Sequence, residues 1–256
     1  MTILLTRQRQ DIIRERLARD GRVIAGALAG EFAVSEDTIR RDLRELAAAG
    51  VCERVYGGAV RPAAPSEPFD RRLDSQAAEK SRLAATAAGL IPAGATVFID
   101  AGTTNVAIAA ALARDSGLTV VTNSPAVAIA VAPGAAIDVV LLGGRFDPRL
   151  GACLGGRTLA EAERLRPDLA ILGACGIDPI AGVTASDSEE AELKRRIALA
   201  SRQVMVATTT DKLGTAAPFA VIDAEALTGL VVEADAGPAL RQAFADRGVA
   251  VEAVPA

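Results

Sequence analysis

Apolar residues recur with a helical period at the start of the chain. Ile13 and Leu17, then Leu28 and Phe32, then Ile39, Leu43 and Leu46 each fall on one face. This predicts helices over Arg7–Asp20 and Ala25–Phe32, and a third capped at Ser35 and ended by Gly50. Gly21 stops the first, Arg22-Val23-Ile24 is a short extended piece, and Ala33-Val34 is a tight turn. Helix, short turn, helix at this spacing is the helix-turn-helix pattern. Alternation over Val51–Val60 around Gly57-Gly58 predicts a small β-hairpin, or wing. Pro62, Pro65 and Pro68 then block helix formation and predict a linker, followed by a helix from about Ala77 to Leu90. From Ala95 onward short apolar runs alternate with helical patterns. Strands are predicted at 96–100, 118–122, 137–142, 169–173, 204–207, 230–232 and 249–252. Helices are predicted at 105–112, 125–131, 159–165, 188–200 and 238–247. Such alternation means a mainly parallel sheet flanked by helices, an α/β domain. The chain therefore divides into residues 1–60, a linker at 61–78 and a second domain at 79–256.

Composition narrows the function classes. Half of the 256 residues are hydrophobic, enough for a real core. No run of about 18 uncharged apolar residues appears, so no membrane span is expected. The opening MTILLTRQRQ is too short an apolar run for a secretory leader. The 3 cysteines, Cys52, Cys153 and Cys175, lack CxxC spacing, which argues against a disulfide framework or a zinc site. The absence of histidine excludes a Ser-His-Asp triad and the common His-ligated metals. A reduced cytoplasmic protein without metal or cofactor is expected. Net charge is −4, but residues 1–61 hold 11 Arg against 9 acids, a net +2, and the remainder holds 17 basic residues against 23 acids, a net −6. Any contact with DNA must be a local patch.

The third helix carries such a patch. Ser35 is a natural N-cap, and Glu36 and Asp37 complement the positive first turn. Thr38, Arg40, Arg41 and Arg44 lie off the apolar stripe, where a guanidinium fork can meet phosphate or a guanine edge. The alternative is a solvated face, with Arg41 pairing one turn away to Asp37 or Glu45. In the wing, Arg54 and Tyr56 share a face beside Gly57 and Gly58 and are set to reach DNA; Tyr56 as a core or hinge residue is the alternative.

In an open α/β sheet a ligand lies at the carboxyl ends of the strands. After the first strand comes Asp100-Ala-Gly-Thr-Thr-Asn105, running into a helix. Gly102 allows backbone approach, Thr103 and Thr104 supply hydroxyls, and free N–H groups face outward, as a phosphate site needs. Simple N-capping by Thr104 or Asn105 explains the same string. Further strand ends carry Asn123 and Ser124, Gly143 and Gly144, Asp178, and Lys212. Lys194 lies on a helix, as a ligand or as a solvated lysine. Phosphate is expected at the Gly102 turn with Lys212 adding charge, and sugar hydroxyls at Asp100 and Asp178.

The string VSEDTIRRDLRELAAAG followed by RVYGGAV resembles the N-terminal winged helix of DeoR-family bacterial transcriptional regulators. The resemblance continues through Pro68-Phe69 and Glu79-Lys80. FIDAGTTN, VVTNS, LLGG, LGACGID, GVTASDSEEAELK and DKLG are similar to the family's sensor-domain motifs, so it spans nearly the whole chain. It implies a sensor domain like the ribose-5-phosphate isomerase and CoA-transferase fold, binding a phosphorylated sugar. One departure stands out: where the family often has Asp-x-Ser-Lys, this chain has Thr209-Thr210-Asp211-Lys212, keeping only the lysine. The resemblance implies a repressor of a carbohydrate uptake or catabolic operon, acting on double-stranded operator DNA as a homo-oligomer, dimer or tetramer. An isomerase or transferase using Asp100, Asp178, Glu190 and Lys194 for proton transfer is the rival reading, and an architectural module the other.

Overall fold

The computed structural model describes residues 5–131 and 136–254. Residues 1–4, which open the apolar stretch too short for a leader, and 255–256, which end the predicted second domain, lie outside the described residues. The N-terminal unit holds α1 (Thr6–Asp20), β1 (Arg22–Ile24), α2 (Ala25–Phe32), α3 (Glu36–Ala48), β2 (Glu53–Val55) and β3 (Gly58–Pro62). Its boundaries have local causes. Gly21 adopts φ 76° and closes α1 through an N–H bond to the Leu17 carbonyl. Ser35 Oγ accepts from the Thr38 N–H at 3.2 Å and caps α3. The three apolar stripes meet in one core with Cys52 and Ala59. A buried ion pair that the apolar pattern does not announce, Arg9 Nε to Asp42 Oδ2 at 2.8 Å, ties α1 to α3. In the wing, β2 and β3 pair antiparallel from Val55↔Gly58, leaving Tyr56-Gly57 as the turn. β1 lies on the other side of β3, and a Cβ at Gly58 would overlap the Val23 carbonyl oxygen.

Two helices follow, α4 (Phe69–Asp74) and α5 (Ala77–Gly89). The second unit then runs β4 (Thr96–Ile99), α6 (Thr103–Ala110), β5 (Thr119–Thr122), α7 (Pro125–Ala130), β6 (Asp138–Leu141), β7 (Arg145–Asp147), β8 (Ala152–Leu154) and α8 (Gly156–Ala162). It continues with β9 (Leu169–Leu172), β10 (Gly176–Asp178), β11 (Gly182–Ala185), α9 (Ser188–Ala200), β12 (Gln203–Thr208), β13 (Thr215–Ala216), β14 (Phe219–Ile222), β15 (Gly229–Glu233), α10 (Pro238–Ala245) and β16 (Ala250–Val254). Seven parallel strands form the central sheet in the order β16-β15-β12-β9-β4-β5-β6. Its inner strands read as continuous apolar runs because both faces are covered. One face carries α5, α6 and α7 through residues such as Leu83, Ile108 and Val127; the other carries α8, α9 and α10 through Ala162, Ile197 and Phe244. Among the described residues no helix is long and apolar enough to cross a membrane.

The structure corrects two expectations. The helix predicted at 159–165 forms at Gly156–Ala162, entered from Gly155 at φ 98°. The stretch predicted as a linker is built into the fold. β3 runs on past the wing, and Arg61 and Pro62 pair in parallel with Thr215 and Ala216 of β13. The Ala63 N–H extends the ladder to the Ala216 carbonyl at 2.7 Å. Pro68 does not prevent α4; it precedes the first turn, where a proline removes no helical hydrogen bond.

Candidate functional site

Strand order sets the position of the main cleft. The chain adds β5 on one side of β4 and returns with β9 on the other, so a switch point lies between β4 and β9. A crevice opens outside the carboxyl ends of strands at such a point. Here it is lined by Gly102, Thr103, Thr104 and Asn105 after β4, by Gly173, Ala174 and Cys175 after β9, and by Lys212 after β12. A contiguous outer part adds Ala64–Glu67, Arg72, Ser75, Gln76 and Lys80 from the segment between the two units. That part has a cavity volume of about 190 Å³.

The inner wall is rigid. Asn105 Nδ2 donates to the Asp100 carbonyl at 2.9 Å and to the Ile171 carbonyl at 3.4 Å, fixing the β4 loop. Gly173 passes so close that a Cβ there would lie 2.6 Å from the Ala101 carbonyl oxygen. Beneath this wall sits a closed ionic cluster. Lys194 Nζ lies 3.2 Å from Asp100 Oδ2 and 2.6 Å from Glu190 Oε1, and it donates to the Gly173 carbonyl at 2.7 Å. Burial alone would lower the Lys194 pKa, but Asp100 and Glu190 outweigh it and hold the ammonium well above the ordinary lysine value. Asp100 Oδ2 also accepts from the Gly173 N–H at 2.9 Å. At this cluster Glu190 Oε2 and Asn105 Oδ1 are buried without a hydrogen-bond partner among the described residues.

Cations gather at the outer end. The Lys212 ammonium makes no hydrogen bond or ion pair among the described residues. Burial lowers its pKa, and Arg72 and Lys194 push the same way against Cys175 and Asp211. Lys80 is shifted down too, by burial first and then by Lys212 and Arg72. Three positive groups thus share one cleft with the Glu67 and Asp211 carboxylates, but the Lys212 ammonium and the terminal nitrogens of Arg72 form no ion pair with either among the described residues, a disposition that favours an anionic ligand.

The predicted ligand residues divide into two groups. Gly102, Thr103, Thr104, Asn105, Lys194 and Lys212 meet in the cleft. Asp100 does not line it; its carboxylate is spent on Lys194 and Gly173. Asn123 and Ser124 lie elsewhere, because the β7–β8 hairpin covers the end of β5: Ser124 Oγ donates to the Gly151 carbonyl at 2.9 Å and Asn123 Nδ2 to the Cys153 carbonyl at 3.3 Å. Gly143 and Gly144 pack against α8, where Thr158 Oγ1 donates to the Gly143 carbonyl at 2.6 Å. Asp178 Oδ1 accepts from the Ile180 and Ala181 N–H groups and shapes the β10–β11 turn. Arg72, Ser66 and Lys80 line the cleft and were not among the predicted residues. The Arg71-Arg72 pair and the Glu79-Lys80 pair were the available signals.

The winged unit presents most of its predicted residues to solvent, but Gly58 is buried against the Val23 carbonyl of β1 and does not face DNA, and Thr38 is half-buried. Arg40 pairs with Glu36 at 2.8 Å, and Arg44 Nε reaches the Arg40 carbonyl at 3.5 Å. Arg41 is exposed and, among the described residues, joins neither Asp37 nor Glu45; the Glu45 carboxylate accepts from Gln10 instead. Thr38 Oγ1 and Ser35 Oγ lie 2.9 Å apart at the helix start. Tyr56 is 97% exposed at the wing tip, so it is not a core residue, and Arg54 is exposed beside it.

Comparison with known proteins follows this division. Residues 9–64 match the family described as "DeoR-like helix-turn-helix domain". Residues 75–234 match "DeoR C terminal sensor domain". The "Glycerol-3-phosphate regulon repressor" of Escherichia coli (strain K12) is 38% identical over 208 residues, covering 81% of this chain and 82% of its own length. The "Uncharacterized HTH-type transcriptional regulator FruR" of Bacillus subtilis (strain 168) is 32% identical over 219 residues, covering 82% and 84%. Among solved structures, ribose 5-phosphate isomerase A from Methanocaldococcus jannaschii overlaps 54% of this chain and 55% of its own, with 15% identity and a TM-score of 0.38. An overlap at that level bears on neither ligand nor chemistry.

Proposed function

This chain belongs to the DeoR family of DNA-binding transcriptional regulators, and from that premise we propose that it represses a carbohydrate uptake or catabolic operon under the control of a phosphorylated sugar. The observation that carries the reading is the cleft at the switch point, where the Lys212 ammonium and the terminal nitrogens of Arg72 make no ion pair among the described residues. A relative is named for a glycerol-3-phosphate regulon, which agrees with a small phosphorylated ligand. The start of α3 enters the major groove of operator DNA, with Thr38, Arg40, Arg41 and Arg44 toward bases and phosphates and Arg54 and Tyr56 of the wing on the flanking backbone. Paired half-sites require paired chains, so the working form is a homo-oligomer. The family places the chain among regulators, not enzymes.

Effector control requires that the sugar phosphate bind one arrangement of the two units more tightly than the other. Thermal unfolding of the full chain across triose, pentose and hexose phosphates, with the bare sugars alongside, tests the reading. One phosphorylated compound is expected to raise the unfolding temperature and to change the chain's affinity for its own upstream DNA. Equal effects from a bare sugar, or turnover of the phosphate, would contradict it.

A further inference from the structure

The two walls of the cleft come from different parts of the chain. Lys212 belongs to the second unit, whereas Arg72 belongs to the segment that descends from the wing. That segment is pinned at three points. Its start pairs with β13. Phe69 lies against Gly151, with its N–H on the Arg149 carbonyl at 2.9 Å. Lys80 Nζ donates to the Arg72 and Ser75 carbonyls, each at 2.5 Å. Within it the Arg72 side chain is aimed: Nε donates to the Glu67 carbonyl at 2.9 Å, and the guanidinium sits 5.9 Å from the Phe69 ring centre. Its terminal nitrogens make no hydrogen bond among the described residues and line the cleft opposite Lys212.

The cleft is therefore polar in a definite direction. Its outer end presents the Arg72 and Lys212 donors, neither ion-paired to the Glu67 and Asp211 carboxylates that share the lining. Its inner end presents the buried, unpartnered acceptors Glu190 Oε2 and Asn105 Oδ1. The Asn105 amide is oriented by its own network, because Nδ2 is committed to two carbonyls and leaves Oδ1 inward. Buried acceptors without partners call for donors, and sugar hydroxyls are donors; a phosphate dianion belongs at the other end. This orientation is opposite to the one the Gly102-Thr-Thr turn predicts.

We propose that Arg72 is a phosphate-selecting residue: its guanidinium and the Lys212 ammonium close on a phosphate ester from opposite walls, while the hydroxyl end of the ligand meets Glu190 and Asn105. The inference rests on the phosphorylated-effector reading and adds how the phosphate is recognised, and by which unit. A planar guanidinium gives two parallel bonds to phosphate oxygens, and a lysine in its place gives charge without that fork. Because Arg72 lies on the segment continuous with the wing, the ligand that it grips touches the connection to DNA directly.

Calorimetric titration of the full chain, its Arg72→Gln, Arg72→Lys and Lys212→Met variants tests the proposal. The probes are inorganic phosphate, glycerol 3-phosphate, ribose 5-phosphate and glucose 6-phosphate, with glycerol, ribose and glucose as controls. The parent is expected to bind at least one of the phosphates more tightly than its bare counterpart. Arg72→Gln and Lys212→Met should each weaken that binding about tenfold or more and erase the preference for the phosphorylated form, and Arg72→Lys should recover part of it. Alkylation of Cys175, which lines the cleft while Cys52 and Cys153 are buried, gives a second readout: the bound phosphate should slow it in the parent and not in Arg72→Gln. Unchanged phosphate preference in Arg72→Gln overturns this inference and leaves the effector reading standing. A parent that binds none of the phosphates, or binds them no better than the bare compounds, overturns both.

Discussion

The thiol of Cys52 sits in the winged-helix core at 1% exposure, where burial, with Glu53 adding repulsion against the pull of Arg54, pushes its pKa up to about 11 from an ordinary 9.0. The folded value lies above the unfolded one, so the stabilising contribution is full below pH 9.0 and is lost as pH rises through about 11. Two units correspond to about 2–3 kcal/mol. Urea unfolding across that range, followed by circular dichroism, should show the parent losing this much relative to Cys52→Ala; parallel profiles would contradict the burial argument. On the surface, Arg41 has no competing partner among the described residues and stands free for DNA. Arg41→Ala should cost about 1–3 kcal/mol in operator affinity and less on scrambled DNA. Arg54→Ala should weaken both alike and lower the salt slope by about one unit. Anisotropy titrations at several salt concentrations decide between these roles, and an unaltered operator affinity in Arg41→Ala removes it from the groove. What was legible at this scale was local. Ser35 announces its cap because donor and acceptor are three residues apart. Arg72 stayed hidden because its significance depends on Lys212, which only the folded chain brings opposite it.

Among the elements, β3 does two things at once: it is one strand of the wing and, at Arg61 and Pro62, the partner of β13. β13 begins at Thr215, just beyond Lys212-Leu213-Gly214, and Thr215 Oγ1 donates to the Lys212 carbonyl at 2.8 Å. A shift at Lys212 is thus a shift in the register on which the wing strand rests. The Ala63 N–H, given to the Ala216 carbonyl at 2.7 Å, is the last bond of this ladder, and Ala63→Pro deletes it. The variant should bind sugar phosphate within about threefold of the parent, while the effect of that ligand on operator affinity falls from the 5–150-fold typical of coupled sites to less than about twofold. Operator titrations with and without ligand check this; an undiminished response in Ala63→Pro would place the coupling elsewhere. The helices other than α4 and the seven strands of the central sheet are legible because each carries its own period or apolar run. The β3–β13 pairing is not, since two-residue strands have no period and their partner is distant in the chain. The rule that ligands gather at strand ends points to the β4 and β12 loops, which line the cleft; Asn123 and Gly143 do not line it, because the β7–β8 hairpin and α8 cover those strand ends.

For the whole molecule, the switch point between β4 and β9 places the cleft beside the descending segment, so that one cavity is walled by the second unit and by the segment that joins it to the wing. A ligand in that cavity bears on their relative arrangement, and two α3 helices must hold one arrangement to meet two half-sites. Sensing and DNA binding are in this account one equilibrium observed at two sites. Linkage then demands reciprocity: whatever factor the ligand applies to operator affinity, the operator applies to ligand affinity. The most direct test measures both in the same full-length protein, titrating labelled operator at zero and saturating sugar phosphate, and titrating the sugar phosphate with and without bound operator. One shared factor, of order 5–150-fold, is expected from a phosphorylated sugar and none from its bare counterpart. Operator affinity that no sugar phosphate alters, in a protein that binds one in the cleft, would contradict the coupling.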